Sequence, residues 1–427
     1  MTRDAQNPKD EPRGGLSRRS VLGGAAAGMA AGLAGSAAVP ASAAPPPPRS
    51  AGFVTVKGRN FMVGGKVFRF GGTNCYYLHQ SSHYMIDAVL NDAAVMGLSV
   101  VRAEAFADGT GDRALQPSPY VYDEDNFDDL DYAVWKAGQL GLRLVVVLAN
   151  NWPDYGGMQQ YVKWFLGLAD DSYGDGVNHD KFYTDSKIRA CYRAYAKHVI
   201  TRTNRYTHLR YNEDPTIMTF ELANEPRNRS DKTGAGVLAW AGEMSAWVSS
   251  LAPRQLVAVG DEGFYGIKGN ADYPYSDYEG NKWKKLCALP HVDYATFHLY
   301  PQGWGETSAS KPGTNPVTWG TQWINDHLAD GKTLGKPVVL EEFGLAIDAA
   351  KDVPDTAARD AGYTAWTGAI EAGVGSDQFW LLTSRVEDGS FYPDYDGYRV
   401  IWRNDSDNPG NSTAHLLSDH AKRMAGA

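Results

Sequence analysis

Eight times between Val67 and Leu382 the chain presents a short apolar or β-branched run of strand length, and longer segments separate these runs. The runs are Val67–Asn74, Ser99–Arg102, Leu142–Leu148, Thr216–Phe220, Leu256–Val259, Val292–His298, Val338–Glu342 and Gln378–Leu382. Helical periodicity marks Tyr84–Met96, Asn126–Leu140, Ser186–Arg205 and Val237–Leu251 among the intervening segments. Strands alternating with helices imply a parallel sheet, and eight such units imply closure into a single α/β domain, the (β/α)8 TIM barrel. A small hairpin (Phe53–Val56 and Phe61–Val63, turning at Lys57–Asn60) precedes the first run and is placed to plug the barrel floor. No internal repeat or second linker interrupts the pattern, so residues 53–427 read as one domain. Long strand-to-helix segments, Asn150–Asp185 and Asp261–Leu289 above all, would wall an open cleft.

Parallel barrels do their chemistry at the carboxyl ends of the strands, and two of these ends carry glutamates. Thr216-Ile217-Met218-Thr219-Phe220 runs into Glu221-Leu222-Ala223-Asn224-Glu225-Pro226-Arg227. Pro226 has no N–H to give a ladder, so the strand should stop there with Glu225 at its end. Glu342 ends a second strand 117 residues later, in Val338-Val339-Leu340-Glu341-Glu342-Phe343-Gly344. Two carboxyls facing one cleft meet the needs of glycoside hydrolysis, in which one protonates the leaving oxygen and the other attacks or activates water. The simpler readings are a solvated Glu225–Arg227 pair and an exposed acidic turn at Glu341-Glu342. Strand alternation allows only one of Glu341 and Glu342 to face the barrel centre, and the sequence does not choose the phase.

Asn224-Glu225-Pro226, Glu342-Phe343-Gly344 and the intervening His298-Leu299-Tyr300 together resemble glycoside hydrolase family 5. Gly71-Gly72-Thr73-Asn74-Cys75-Tyr76-Tyr77, Leu148-Ala149-Asn150-Asn151-Trp152 and Asn224-Glu225-Pro226-Arg227 are most similar to its endo-β-1,4-mannanase branch. The likeness extends from about Phe53 into the last hundred residues. It implies a retaining enzyme with Glu225 as acid/base and Glu342 as nucleophile. It further implies that Arg102 holds Glu342 ionised, Tyr300 donates to Glu342, His298 orients the pair and Asn224 binds the sugar 2-hydroxyl. Trp380 would stack on the sugar at the cleavage point and Arg227 would serve an aglycone subsite, with Asn150, Trp152 and Tyr265 as further binding residues. Trp164, Trp283 and Trp304 are additional aromatic candidates. From the residues alone, Arg102 inside an apolar run needs a carboxylate partner, with Glu104 the local alternative. Asparagines at 150 and 151, where many family members carry a histidine, fit the mannanase branch. A raised Glu225 and an ionised Glu342 are the protonation states this chemistry expects.

Residues 1–43 read as an export signal. Ser17-Arg18-Arg19-Ser20-Val21-Leu22 has the twin-arginine pattern, an Ala/Gly-rich apolar stretch follows, and Ala41-Ser42-Ala43 offers a cleavage site. Residues 44–52 form a Pro-rich spacer, so a secreted, extracellular location is expected. The signal carries five basic and three acidic side chains; with the whole chain at −9, the remainder stands at −11. Such an acidic body without basic blocks is a poor partner for nucleic acid or anionic membranes and suits a neutral polysaccharide. Neither metal nor cofactor is expected, the histidines being scattered without HExxH, and a monomer is. Cys75, Cys191 and Cys287 allow at most one disulfide.

Overall fold

The computed structural model describes residues 52–109, 111–402 and 411–426. The proposed signal and nearly all of the spacer lie outside the described residues. Eight parallel strands form the central sheet: β1 (Gly71–Asn74), β2 (Val100–Glu104), β3 (Arg143–Val147), β4 (Ile217–Glu221), β5 (Leu256–Ala258), β6 (Ala295–Leu299), β7 (Val338–Phe343) and β8 (Ser376–Phe379). The ladder runs β5-β4-β3-β2-β1-β8-β7-β6. Across the seam between β5 and β6, Asp293 N–H donates to Val257 O at 2.8 Å and His298 N–H donates to Glu262 O at 3.0 Å. The result is a nearly closed (β/α)8 barrel.

Helices form where the sequence supplies a period and a stop. His83–Met96 starts at Ser82, whose hydroxyl accepts from Met85 N–H, and ends at Gly97 in the left-handed region. Ser186–Thr201 is capped by Asp185, and Pro316–Leu334 by Asn315 with Pro at its first turn. The two long loops carry short helices of their own, Gly157–Leu166 and Lys181–Thr184 in one and Trp283–Cys287 in the other.

The first strand differs from its sequence reading. Lys66–Phe68 pairs antiparallel with Asn60–Val63, which pairs with Thr55–Lys57, and only Gly71–Asn74 joins the barrel. The expected hairpin is therefore a three-stranded sheet. Gly64 and Gly65, both at positive φ, make the turn that diverts Val67 and Phe68 into it. This sheet does plug the floor: Phe61 packs against Phe70 and Tyr294, within an apolar cluster that includes Val100, Val145, Met218 and Val339 from the strands. A second, larger cluster fills the space between strands and helices. Apolar layers at the bottom leave the polar side chains of the barrel interior to the upper, carboxyl end. No helix among the described residues is long and apolar enough to cross a membrane. Cys75, Cys191 and Cys287 are free and buried.

Candidate active site

β2 shows how the interior is built. Val100 belongs to the floor cluster and Val101 and Ala103 to the outer one, so Arg102 and Glu104 point inward. Arg102 is 2 % exposed, and all five of its N–H groups have acceptors. Its Nη1 donates to Glu342 Oε1 at 2.6 Å and to Asn74 Oδ1 at 3.2 Å. Its Nη2 donates to Glu221 Oε1 at 2.6 Å and Asn224 Oδ1 at 2.9 Å, and Nε donates to Glu221 at 3.2 Å. Arg102 thus binds Glu342 as the resemblance implied, but the partner holding it most extensively is Glu221, which the sequence reading passed over. Glu104 is not its hydrogen-bond partner; one oxygen of that buried carboxyl lacks any partner.

The β4 ladder ends at Glu221, yet the chain beyond it stays pinned between its neighbours. Leu222 N–H donates to Ala258 O at 3.0 Å, Asn224 N–H to Ala149 O at 2.8 Å and Glu225 N–H to Gly260 O at 2.9 Å. Glu225 lies in the left-handed region at φ 52°, a conformation that costs a non-glycine residue about 1–2 kcal/mol. Asn150 Oδ1 accepts from Asn224 Nδ2 at 3.0 Å, so Asn150 serves to hold Asn224.

β7 resolves the two glutamates. Val339 packs into the floor cluster and Leu340 into the outer one, so simple alternation turns Glu341 inward and Glu342 outward. Against β6 the register slips between Leu340, opposite Phe297, and Glu342, opposite His298. This β-bulge at Glu341 brings both carboxyls inside. The expectation that only one could face the centre fails because alternation holds only in an unbroken ladder.

β6 completes the cluster. His298 and Tyr300 reach the same face: Tyr300 hydroxyl donates to Glu342 Oε2 at 2.8 Å, and His298 Nδ1 lies 2.8 Å from Glu225 Oε1 and 3.5 Å from Glu342 Oε2. One oxygen each of Glu225 and Glu342 and a ring nitrogen of His298 all lie within 4.8 Å of one another. The Trp152 indole N–H donates to the other oxygen of Glu225 at 2.6 Å.

The remaining candidates divide. Trp380 follows β8, half-buried, its indole donating to Asp396 Oδ2 at 2.7 Å and its ring stacked 5.7 Å from Tyr76. Arg227 is buried in ion pairs with Glu262 and Glu279 and lies between the rings of Trp152 and Phe264. Tyr265 and Trp283 sit away from the carboxyl pair, packed on each other and on His327 of the helical layer. Trp304 joins Trp319 and Trp323 in that layer, and Trp164 packs on Tyr161. Of the five loop aromatics named above, Trp152 is the one that touches a member of the carboxyl pair.

The protonation order is the reverse of the expected one. Burial works to raise Glu225, but the hydrogen bond and charge of His298, then Arg227 and Trp152, hold it down to about 2. Burial places Glu342 above the usual carboxylate range against the charges of His298 and Arg102, and Glu225 adds to the rise. His298, although burial opposes it, is held well above the ordinary imidazole value by Glu342 and Glu225. Both shifts favour a Glu225 carboxylate beside a protonated His298, the two joined by one 2.8 Å hydrogen bond.

A family model described as GH family 5 beta-mannosidase-like matches residues 51–380. The chain belongs to glycoside hydrolase family 5. Family 5 relatives of high similarity include the putative mannan endo-1,4-β-mannosidase 5 of Oryza sativa subsp. japonica, 36% identical over 87% of this chain and 77% of its own length. Mannan endo-1,4-β-mannosidase 1 of Solanum lycopersicum is 38% identical over 69% of this chain and 74% of its own. The endo-β-1,4-mannanase of Thermotoga petrophila superposes with a TM-score of 0.74 at 40% identity, over 84% of this chain and 78% of that one. The endo-1,4-β-mannanase of Rhizomucor miehei gives 0.75 at 33%, over 88% and 100%. As a family 5 member this chain is a glycoside hydrolase, and its barrel is that of the family.

Proposed function

We propose that this family 5 enzyme is a secreted endo-β-1,4-mannanase that hydrolyses internal β-1,4-mannosidic bonds of mannan, glucomannan or galactomannan with retention of configuration. Glu342 attacks the anomeric carbon while Glu225 protonates the leaving oxygen; Glu225 then deprotonates the water that releases the glycosyl-enzyme. Bond cleavage requires the proton to pass from His298 Nδ1 to Glu225 as the substrate displaces water. Arg102 and Tyr300 hold Glu342 in position and favour its ionised form.

The observation that carries this reading is the approach of Glu225 and Glu342 oxygens to within 4.8 Å. Retaining pairs stand about 5–5.5 Å apart, whereas inversion needs about 6.5 Å or more to admit a water. The activity for which the relatives are named supports mannan as substrate, and the twin-arginine pattern at Ser17–Leu22 supports export.

A time course on mannohexaose followed by proton NMR tests the reading. Products of two, three and four sugars, released first as the β-anomer, are expected. An α-anomer first would overturn retention, mannose alone would overturn the endo mode, and faster release from soluble cellulose than from galactomannan would assign a glucanase. Loss of export from a host lacking the twin-arginine translocase is the corresponding outcome for secretion.

A further inference from the structure

Glu341 has no place in the mechanism above, yet it is a fully buried carboxyl at the heart of the barrel. No N–H or hydroxyl donor reaches its oxygens at bonding geometry, its hydrogen-bonding neighbour being the Glu221 carboxyl, and His298 Nε2 likewise lacks a partner at bonding geometry. The two groups face each other: Glu341 Oε2 lies 3.8 Å from His298 Nε2 and 3.9 Å from Arg102 Nε. Burying a carboxyl and an imidazole nitrogen this close with no N–H···O bond made between them is costly, so their apposition calls for a reason.

His298 supplies one. Its Nδ1 holds Glu225 at 2.8 Å, and for Glu225 to carry the acid proton in that hydrogen bond, Nδ1 must be the acceptor. The neutral ring then has to keep its hydrogen on Nε2, and that tautomer is selected by what Nε2 faces. Nε2 faces Glu341. We infer that Glu341, delivered to the interior by the β7 bulge, is a positioning residue that acts through His298 Nε2 to fix the imidazole tautomer and keep a proton in the Glu225–His298 pair. The inference rests on the assignment of Glu225 as acid/base.

Other charges around the pair are accounted for. His298 is faced by Glu225 and Glu342, with Asp261 and Glu262 behind it after β5. Glu341 is faced by Arg102 and Glu221, and by the Tyr294 phenol and Cys287 thiol. Burial works against its charge, but His298 and Arg102 hold Glu341 below the usual carboxylate range. An anion near Nε2 stabilises the proton shared by Glu225 and His298; removing that anion weakens the pair's hold on it.

The test is a kcat/KM–pH profile of the native enzyme, Glu341→Gln and Glu341→Asp on mannohexaose. Glutamine still accepts from Nε2–H but carries no charge, so its alkaline limb should move down by about one to three pH units, the range for one charge about 4 Å away between a water-like dielectric and one of about 20. Aspartate should restore the limb. A uniform loss of rate with both limbs in place would mean that Glu341 merely supports the bulge, and would overturn the inference. Imidazole 15N NMR of the native enzyme needs neither variant nor substrate: the His298 signal, identified by its absence in His298→Gln, should show Nε2 protonated throughout the active pH range. A bare Nε2 there would overturn the inference even if Glu341→Gln failed to fold. Failure of the native enzyme to cleave mannohexaose would instead fall on the substrate assignment.

Discussion

The Trp152 indole donates to Glu225 Oε2 at 2.6 Å while His298 holds Oε1 at 2.8 Å, so the carboxyl is gripped on both oxygens. Both contacts favour its ionised form and, with the charges of His298 and Arg227, hold its pKa down to about 2 against burial. Trp152→Phe removes one donor and keeps most of the ring. A hydrogen bond to a charged group contributes about 1.5–3 kcal/mol, so its loss should move the acid limb of the kcat/KM–pH profile upward by about one to two units. The Glu225 pKa should rise, visible in carboxyl 13C titration; unchanged profile and titration would remove Trp152 from the site.

Glu342→Gln should reduce kcat by roughly four orders of magnitude or more while mannohexaose binding persists by calorimetry. Glu225→Gln should fall about 10²–10⁴-fold on poor leaving groups, and less on activated aryl mannosides that need no proton. Near-normal turnover by Glu342→Gln would move the nucleophile to Glu341.

Gly260 is a hidden determinant of the same geometry. Its φ is +83°, and a Cβ there would meet Ala223 O at 1.9 Å and Glu221 Oε1 at 2.5 Å. Ala223 precedes Asn224 and Glu225, and Glu221 holds Arg102. Gly260→Ala should therefore destabilise by about 2–4 kcal/mol and lower kcat at least tenfold as the carboxyls shift. Melting temperature and kcat measured together check both; an unaffected enzyme would mean the loop yields freely.

His420 links the C-terminal helix (Asn411–Ala425) to the barrel, with Nε2 2.7 Å from Asp377 Oδ2 on β8 and Nδ1 2.7 Å from Glu371 Oε1. Although burial opposes it, the charge and hydrogen bond of Asp377, then Glu371, raise its pKa above the usual 6.5. A raised folded-state value means the stabilisation is fully present below the unfolded value and is lost as pH climbs through the folded one. Thermal melts should therefore fall over that upper window and be flat in this contribution below it. His420→Ala should cost about 3 kcal/mol by leaving Asp377 buried without its partner and should erase the slope; a parallel pH profile would refute the link.

Local chemistry made the barrel legible. Strand-length β-branched runs alternating with helical periods, and Gly344 as a stop, located all eight strands within a few residues and placed Glu342, Arg102, His298 and Tyr300 at or beside strand ends. Pro226 overshot, because the β4 ladder closes at Glu221 and Glu225 stands four residues beyond it in the left-handed region. The third hairpin strand was missed because Lys66–Phe68 and Gly71–Asn74 read as one continuous run; the intervening kink is a matter of which partner each half finds. Glu221 went unnoticed for a related reason: its contact with Arg102 spans 119 residues, and nothing local marks it beyond an acid in a strand.

By itself the sequence determined the alternation of elements and which side chains stand near the carboxyl ends, because both follow from periodicity and backbone restriction within a few residues. Only the tertiary structure decided that Glu341 and Glu342 both turn inward, that Trp152 grips Glu225, and that His298 holds Glu225 toward its ionised form. A bulge exists only relative to a neighbouring strand, and a carboxyl's protonation depends on the summed field of groups from β2, β4, β6 and β7 converging on the buried centre of the barrel.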